Sequence, residues 1–277
     1  MPTLEPLRAV IAVLGLGEAG SLIAKDLVRA GVRVQGWDPW PHGDLASIPL
    51  MESFEAAVTG ADVVVSVNWA RVAEDVARQA APLIGPSVLF ADFNTSGPEL
   101  KRSLAAIIEP TGAAFADVAM MSPVPGFGIR VPAFAAGGGA ERFARIFRSY
   151  GMPVDVVGPN AGEAAARKLV RSVFFKGMAA AVCESLEAAA ASGVYDWMYG
   201  DIAKTFEKAD AALVQRLVEG SRTHAVRRAH EMREVVALLN HLGVPPAISS
   251  ASVEVLERLA KSAQSSDTVT SDVRHER

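Results

Sequence analysis

Two lysines stand eight residues apart in an otherwise apolar helical stretch. The segment GEAAARKLVRSVFFKG, residues 162–177, is rich in alanine and aliphatic residues, yet it contains Lys168 and Lys176. A lysine amine can take the proton of an alcohol when burial or a neighbouring cation lowers its pKa. Lys168 is the candidate for this acid–base role and Lys176 for contact with a substrate. The alternative for each is a surface side chain whose stem covers apolar neighbours.

A second chemical signal lies near the N-terminus, where three glycines follow an apolar run. VIAVLGLGEAG places Gly15, Gly17 and Gly20 in the pattern G-x-G-x-x-G, between a predicted strand and a predicted helix. The first glycine permits a tight turn, the second lets a pyrophosphate approach the backbone, and the third lets the helix pack on the strand. The phosphates then face unpaired N–H groups at the helix start. The predicted dinucleotide-binding residues of this loop are Gly15, Leu16, Gly17, Glu18, Ala19 and Gly20.

An acidic residue ends the next predicted strand. Asp38 follows Gly20 by eighteen residues, and a carboxylate at this place can accept hydrogen bonds from ribose hydroxyls while repelling a 2′-phosphate. No arginine follows it in DPWPH, so NAD is the favoured cofactor and NADP the alternative. Asn68 and Trp69 end the third predicted strand, where they could also touch the dinucleotide. The opposing interpretation is a glycine turn that binds nothing, with Asp38 as a turn residue.

The pattern of short runs predicts the scaffold that positions these residues. The first 158 residues alternate β-type and helical runs, which is typical of a mostly parallel sheet with helices on both faces. The predicted strands are 10–14, 32–37, 62–67, 88–91, 114–118, 133–136 and 154–157. Beyond Gly158 the pattern predicts helices alone, at 162–192, 196–206, 210–218, 222–242 and 246–260.

This change of pattern predicts two domains. A dinucleotide-binding domain spans residues 1–160, a helical substrate-binding and dimerisation domain spans 161–262, and a polar tail, 263–277, is predicted to be disordered. The long apolar helix at 162–192 must bury more than one face. One small helical domain offers too little cover for it, which predicts a homodimer packed through this half.

Composition excludes several other classes of function. A net charge of −4 without a basic tract argues against nucleic acid as a partner. The sequence contains no run of about 18 uncharged apolar residues, so no membrane span is predicted. The one cysteine, Cys183, cannot form an internal disulfide and fits a reducing cytoplasm. HEMRE lacks the second histidine of a zinc-protease motif, so no metal site is predicted.

Four segments together resemble the β-hydroxyacid dehydrogenases, which include 3-hydroxyisobutyrate dehydrogenase, tartronate semialdehyde reductase and 6-phosphogluconate dehydrogenase. GLGEAGSLIAKDLVRAG is similar to the family's glycine loop and first helix, and DFNTSGPEL to its Asp-x-Ser-Thr-x-x-Pro segment. FADVAMMSPVPGFG stands in the place of the substrate loop, and GEAAARKL in that of the catalytic lysine. The resemblance covers residues 8 to about 195. It implies a Rossmann-type α/β domain followed by an all-α domain, with Lys168 as general acid/base.

The chain departs from the family pattern in three places. The substrate loop lacks Ser-Gly-Gly, the spacer before the lysine is two residues longer, and Ser172 replaces the asparagine that follows the lysine by four residues. The helices after Gly193 resemble a subgroup with its own phosphogluconate dehydrogenase-like C-terminal domain. These differences leave the substrate open. The predicted substrate-binding residues are Ser122, Lys176, Ser172, Asn94 and Thr95.

The sequence therefore predicts an NAD(P)-dependent oxidoreductase that acts on the CH–OH group of a small β-hydroxyacid or related polar alcohol. Decarboxylation of a β-keto acid product could follow, with the same lysine protonating the enolate. Two alternatives stay open. One is an imine reductase-type enzyme, which shares this architecture but usually replaces the lysine. The other is a dinucleotide-binding protein without turnover.

Overall fold

A seven-stranded sheet organises the first half of this computed structural model, which describes residues 9–275 and their side chains as far as residue 263. The strands are β1 (Val10–Leu14), β2 (Arg33–Trp37), β3 (Val63–Ser66), β4 (Leu89–Asp92), β5 (Ala114–Met120), β6 (Ala133–Ala136) and β7 (Val154–Gly158). They lie in the order β2-β1-β3-β4-β5-β6-β7. Neighbours pair in parallel except β5 and β6, which are antiparallel. The predicted mostly parallel sheet is confirmed.

Helices cover both faces of this sheet. They are α1 (Glu18–Arg29), α2 (Phe54–Val58), α3 (Ala73–Ala80), α4 (Pro98–Ile108) and α5 (Ala140–Ser149). Successive strand residues point to opposite faces, so Val13 packs with α1 and α5 while Leu14 packs with α2, α3 and α4. Because both faces are buried, the central strands are continuous apolar runs rather than alternating ones.

Three polar side chains interrupt these runs at one edge of the sheet. Ser66, Asp92 and Asp117 lie directly across from one another on β3, β4 and β5, and none of the three is exposed to solvent. Ser66 and Asp92 are the last residues of their strands. The carboxyl ends of parallel strands are where open α/β sheets bind ligands. The register therefore places a buried polar row beside the expected site.

The second half of the chain is helical in the described residues. Its helices are α6 (Glu163–Ala191), α7 (Tyr195–Glu207), α8 (Ala211–Thr223), α9 (Ala225–His241) and α10 (Ala247–His275). Contacts divide the chain into one compact unit through Arg171 and a second from Ser172. The proposed domain boundary near residue 160 and the tail at 263–277 stay predictions. The backbone of α10 is helical through His275, and side chains beyond residue 263 lie outside the described residues.

A buried carboxylate on α6 fixes the start of α10 within the second unit. Glu184 accepts hydrogen bonds from the backbone N–H groups of Ile248 and Ser249 at 2.7 and 2.8 Å, and from the Ser249 hydroxyl at 2.6 Å. Burial opposes ionisation of this carboxyl group, but the hydrogen bonds outweigh it and hold the pKa of Glu184 below its ordinary value. The ionised side chain thus supplies the partners that the first turn of a helix lacks.

Large apolar side chains of this unit remain exposed. Neither α7 nor α8 buries a residue in the described part of the chain, although Trp197 and Tyr199 lie on α7. Val173 and Phe174 on α6 are 77% and 60% exposed. Among the described residues, no helix combines the length and apolar composition that crossing a bilayer requires. An exposed apolar surface of this kind is typical of a protein–protein interface.

Candidate functional site

A cavity of about 760 Å³ opens in the first unit, where β1 to β4 end. It gathers residues that are far apart in the sequence but were predicted to act together. The predicted cofactor-binding residues that line it are Gly15, Gly17, Glu18, Ala19, Gly20, Asp38, Asn68 and Trp69. Two predicted substrate-binding residues, Asn94 and Thr95, line it as well.

The three glycines of the loop do different things. Gly15 has a φ of +100°, and a Cβ there would lie 2.1 Å from the carbonyl oxygen of Val67. A Cβ on Gly20 would lie 2.0 Å from the carbonyl oxygen of Gly15. Gly17 differs, because a Cβ there would meet no heavy atom within 4 Å. Packing therefore demands the first and third glycines, whereas the second leaves open space on the cavity wall.

That open space fits a dinucleotide phosphate. Gly17 is the N-cap residue of α1, and no side chain caps the helix there. The N–H groups of the first turn consequently need another acceptor, and an anion at a helix N-terminus supplies one. The donor set, the missing Cβ and the cavity all suit a pyrophosphate. When bound, the nicotinamide of such a cofactor exchanges a hydride with the substrate.

Asp38 has a structural task that the sequence did not predict. One carboxylate oxygen accepts the backbone N–H of Leu16 at 2.7 Å, and the other accepts that of Trp40 at 2.8 Å. Asp38 thus ties the glycine loop to the end of β2. A carboxylate has about four acceptor sites, so capacity for ribose hydroxyls remains. Leu16, grouped with the cofactor-binding residues from the sequence, has its side chain in the core and does not line the cavity.

Two exposed aromatic rings stand on the cavity wall. Trp69 is 72% exposed, and the guanidinium carbon of Arg71 lies 5.3 Å from its ring centroid, a cation–π distance. Trp40 is 80% exposed and was missed from the sequence. Its signal was an aromatic residue in the turn DPWPH, directly after the acidic residue. Flat apolar surfaces of this kind suit the face of a base.

Behind the cavity, a buried lysine on α4 joins the polar row of the sheet. Lys101 is 1% exposed, and its Nζ donates to the Asp92 carbonyl at 2.8 Å and to Asp92 Oδ2 at 2.6 Å. Asp117 Oδ1 lies 3.2 Å from the same nitrogen. Lys101 thus donates two hydrogen bonds to Asp92 and forms an ion pair with Asp117, whose Oδ1 accepts no hydrogen bond. Burial raises the pKa of Asp92 above its ordinary value, against the attraction of Lys101.

Two asparagines connect this network to the cavity. Asn94 Nδ2 lies 2.6 Å from Asp92 Oδ1 and 3.0 Å from Asn68 Oδ1, and Asn94 Oδ1 accepts the backbone N–H of Asn68 at 2.5 Å. Asn94 is only 4% exposed. Its amide is engaged by protein groups on both sides, which favours a supporting role over the predicted contact with substrate. Asn68 also donates to Ser66 Oγ at 3.1 Å.

The lysine singled out from the sequence reaches this site within the first unit. Lys168 on α6 is half-buried, and its Nζ donates to Thr95 Oγ1 at 2.9 Å. Thr95 lines the cavity, whereas Lys168 is not among the lining residues and reaches the cavity through the Thr95 hydroxyl. The start of α6 is fixed by Asp117, whose Oδ2 accepts the backbone N–H groups of Gly162 and Ala165, both at 3.0 Å.

The other predicted substrate residues lie outside the cavity lining. Ser122 is half-buried in the loop after β5, where the N–H groups of Phe127 and Gly128 bond to the Val124 carbonyl instead of pointing to a ligand. Ser172 and Lys176 belong to the second unit, one and two turns beyond Lys168 on α6. Between residues 9 and 263, no group of three or more His, Cys, Asp or Glu side chains could hold a metal ion.

The sequence missed the network of Lys101, Asp92 and Asp117. Asp92 and Asp117 stood inside family-like segments, but no role followed from that. Lys101 occupies a position of the apolar stripe of α4, ahead of Leu104 and Ile108. A lysine at helix spacing with buried leucines, near strands that contain aspartates, is the signal that could have found it.

Two family models match the chain. The model described as the NAD binding domain of 6-phosphogluconate dehydrogenase matches residues 10–158, more than half of the chain. A domain of unknown function, DUF1932, matches residues 189–259. The first model covers the sheet with its cavity, and the second covers most of the helical unit.

The chain is also similar to individual proteins, which include hydroxyacid dehydrogenase-like proteins and an imine reductase. A probable 3-hydroxyisobutyrate dehydrogenase from Mycobacterium bovis is 30% identical over 144 residues, which cover 49% of this chain and 48% of that protein. A conserved protein of unknown function, described as structurally similar to 3-hydroxyacid dehydrogenases, is 26% identical with a TM-score of 0.60 and coverage of 92% and 98%. An imine reductase from Myxococcus stipitatus, solved with NAD+ as a variant, is 19% identical with a TM-score of 0.78 and coverage of 92% and 95%. The last similarity shows the fold alone.

The unequal packing of the glycines yields a prediction. Gly17 has a φ of −64°, which alanine adopts without strain, and its methyl would point into open space. We expect Gly17→Ala to leave the melting temperature unchanged and to raise the NADH dissociation constant by at least about tenfold. A tenfold change corresponds to about 1.4 kcal/mol of binding free energy. Gly20→Ala, the control, should lower stability by about 1–3 kcal/mol, because its methyl meets a carbonyl oxygen. Fluorescence titration and thermal melts measure both. Unchanged NADH binding by Gly17→Ala would remove the cavity as the phosphate site.

Proposed function

Because the chain belongs to the NAD-binding β-hydroxyacid dehydrogenase family, we propose that it transfers a hydride between a nicotinamide cofactor and a small β-hydroxyacid or related polar alcohol. Lys168 is the general acid/base in this proposal. NAD is the cofactor of choice, with NADP as the competitor. The matching family model is named after a dehydrogenase, and the relatives with a named activity include a probable 3-hydroxyisobutyrate dehydrogenase, which supports this class of reaction.

One observation carries this proposal. Lys168 Nζ lies 2.9 Å from the hydroxyl oxygen of Thr95, and Thr95 lines the same cavity as the glycine loop. A proton-transferring group must come within hydrogen-bond reach of the substrate hydroxyl, directly or through one intermediate group. An amine at the cavity edge meets this requirement, whereas a solvated surface lysine does not.

The chemistry follows from what an amine at this place can do. For oxidation, the neutral amine of Lys168 accepts the hydroxyl proton, and the hydride of the carbon that bears this hydroxyl would pass to the oxidised nicotinamide cofactor. For reduction, the ammonium returns that proton to the carbonyl oxygen. Thr95 holds the amine through its oxygen, and its own O–H is left to donate to a substrate oxygen. A β-keto acid product could then lose CO₂, with Lys168 protonating the enolate.

The remaining substrate contacts are assigned from position along α6 and in the loop after β5. Ser172 follows Lys168 by one helical turn and therefore shares its face. Lys176 follows by two turns, and its charge suits a substrate carboxylate. Ser122 follows β5 at the carboxyl edge of the sheet. We assign these three to substrate binding, and Lys168 alone to proton transfer.

The two lysines should respond differently to replacement. A substrate is first found by screening C3–C6 hydroxy acids with NAD and NADP. We then expect Lys168→Ala to lower kcat by about 10²–10⁴-fold, as for loss of a general acid/base. Lys176→Ala should mainly raise the substrate KM, as expected for lost ground-state binding. NADH affinity should change little in either variant, because the glycine loop and Asp38, and not the two lysines, are assigned to the dinucleotide.

Three results would contradict this proposal. Near-normal kcat in Lys168→Ala together with loss of turnover in Lys176→Ala would mean that the roles are reversed. A parallel panel of cyclic imines with NADPH tests the competing chemistry. Turnover of imines but of no hydroxy acid would replace the proposed substrate class. Cofactor binding with no turnover in either panel would leave a dinucleotide-binding protein.

Cofactor preference depends on Asp38. Its carboxylate faces the cavity and would repel a 2′-phosphate, so we expect NADH to bind several-fold more tightly than NADPH. Asp38→Asn should narrow this ratio. Asp75→Asn is the matched control, because Asp75 is another carboxylate on the cavity wall. Dissociation constants from fluorescence titration give the ratio, and a several-fold preference for NADPH in the unaltered protein would overturn the assignment.

We also propose a homodimer formed through the helical unit. Helices of 13 residues, the length of α7 and α8, are marginal on their own in water and depend on packing. Here neither buries a side chain in the described chain, while Trp197 is 66% exposed. A second copy offers the missing apolar partner surface.

Light scattering at micromolar concentration tests the assembly. We expect the mass of a dimer, and a lower mass for Trp197→Glu because a charge replaces an interfacial aromatic ring. Lys204→Gln, at an exposed polar position on the same helix, should keep the dimer mass. A stable monomer of the unaltered protein would refute the proposal and require another cover for α7 and α8.

A further inference from the structure

We propose that Asp117 and Lys101 are positioning residues that fix the first turn of α6 and, through it, the place of the Lys168 amine. This inference rests on the proposed function for its catalytic consequence, but its geometry stands independently. The two residues touch neither the cavity lining nor Thr95 in the contacts described above. They act on Lys168 indirectly, through the first turn of α6.

The first step is the attachment of the helix. Asp117 Oδ2 accepts two backbone N–H groups, those of Gly162 and Ala165, at 3.0 Å each. These donors belong to the turn that begins α6, and Lys168 follows one turn later. A helix start normally lacks partners for its N–H groups, and a negative charge there is favourable. Because Asp117 lies within β5, the helix start is attached to the sheet itself.

The second step is the charge of Asp117. The side chain is fully buried, and a charge in the interior is stabilised only by close pairing with an opposite charge. Lys101 supplies the cation, with its Nζ 3.2 Å from Asp117 Oδ1. The same ammonium also holds Asp92, at the end of β4. Lys101 therefore links β4 to β5 and, through the hydrogen bonds of Asp117, to the start of α6.

The third step connects both ends of this network to the cavity. On one side, Asp92 bonds Asn94, which lines the cavity beside Thr95. On the other, Asp117 holds the helix whose Lys168 donates to Thr95. The Lys168 amine and the Thr95 hydroxyl are thus both connected to the same buried group of Lys101, Asp92 and Asp117. A displacement of the helix start would separate them, and misplacement of about 1 Å can cost about 10²-fold in rate.

Three variants test the inference. Asp117→Ala removes the acceptor but leaves Lys101 paired one-to-one with Asp92, so the protein should still fold. Asp117→Asn keeps an oxygen that can accept the same two N–H groups. Glu163→Gln is the matched control, since it removes a negative charge from the same helix end and leaves Asp117 in place; Glu163 itself pairs with Asn160.

Two readouts need no substrate. Amide hydrogen exchange at residues 162–168 should accelerate by about tenfold in Asp117→Ala, less in Asp117→Asn, and not in Glu163→Gln. Labelling of Lys168 by acetic anhydride, measured by peptide mass spectrometry against Lys176 as internal reference, should increase in Asp117→Ala alone. Unchanged exchange at 162–168, or an unchanged labelling ratio, overturns the inference whatever the activity.

Turnover with the best substrate of the screen adds the catalytic arm. We expect Asp117→Ala to lower kcat by about 10- to 100-fold, with NADH affinity unchanged and partial recovery in Asp117→Asn. In the Lys168→Ala background, Asp117→Ala should have no further effect on kcat, because it acts through that lysine. A further loss of the same size overturns the positioning role. If Lys168→Ala itself keeps full turnover, the proposed function fails, while exchange and labelling still decide whether Asp117 positions the amine.

Discussion

The ammonium group of Lys101 lies in the interior between two carboxylates, Asp92 and Asp117, at the place where β4, β5 and α4 meet. Removing charges from water is costly, and only close pairing with full hydrogen bonding offsets it. With two carboxylates and one ammonium, this group tolerates little displacement of any member. The end of β4, strand β5, helix α4 and the start of α6 are therefore joined through one buried ion group. Asp92 leads to the asparagines of the cavity, and Asp117 leads to the helix of Lys168.

The glycine loop shows a second constraint, because packing explains two of its three glycines and the third leaves open space at the cavity. Gly15 and Gly20 are required by carbonyl oxygens that would collide with any Cβ. A Cβ on Gly17 would meet no heavy atom of the described residues within 4 Å, and Gly17 lines the cavity. Asp38 completes the loop by bonding the N–H of Leu16. Its carboxylate therefore holds the loop and also lines the cavity.

Both long helices begin on a buried carboxylate from another element. Asp117 supplies it for α6 and Glu184, itself on α6, for α10. A negative charge at a helix N-terminus satisfies unpaired N–H groups and interacts favourably with the helix dipole. In each unit one buried carboxylate thus accepts the N–H groups of the first turn of a long helix. The two units differ in their cores, because the sheet buries its apolar residues on both faces while the helical unit leaves many exposed.

The sequence by itself determined the strands, the glycine loop and the existence of the helices, because hydrophobic periodicity and glycine spacing are local signals. The ends of α8 and α10 were wrong, since these helices extend to Thr223 and His275 instead of residues 218 and 260. It also pointed to Asp38 and Thr95 as candidates because they follow predicted strands, and to Lys168 because it lies near the start of a long helix and stands where similar dehydrogenases have a catalytic lysine. Only the tertiary structure decided which of them meet. The pairing of Lys168 with Thr95 joins residues 73 positions apart. The burial of Lys101 depends on two strands that its own helix only contacts after folding, so a lysine in an amphipathic segment could not be distinguished from a surface residue. The engagement of Asn94 by protein groups and the exposure of α7 and α8 were equally beyond local pattern, because each depends on what the rest of the chain places beside it.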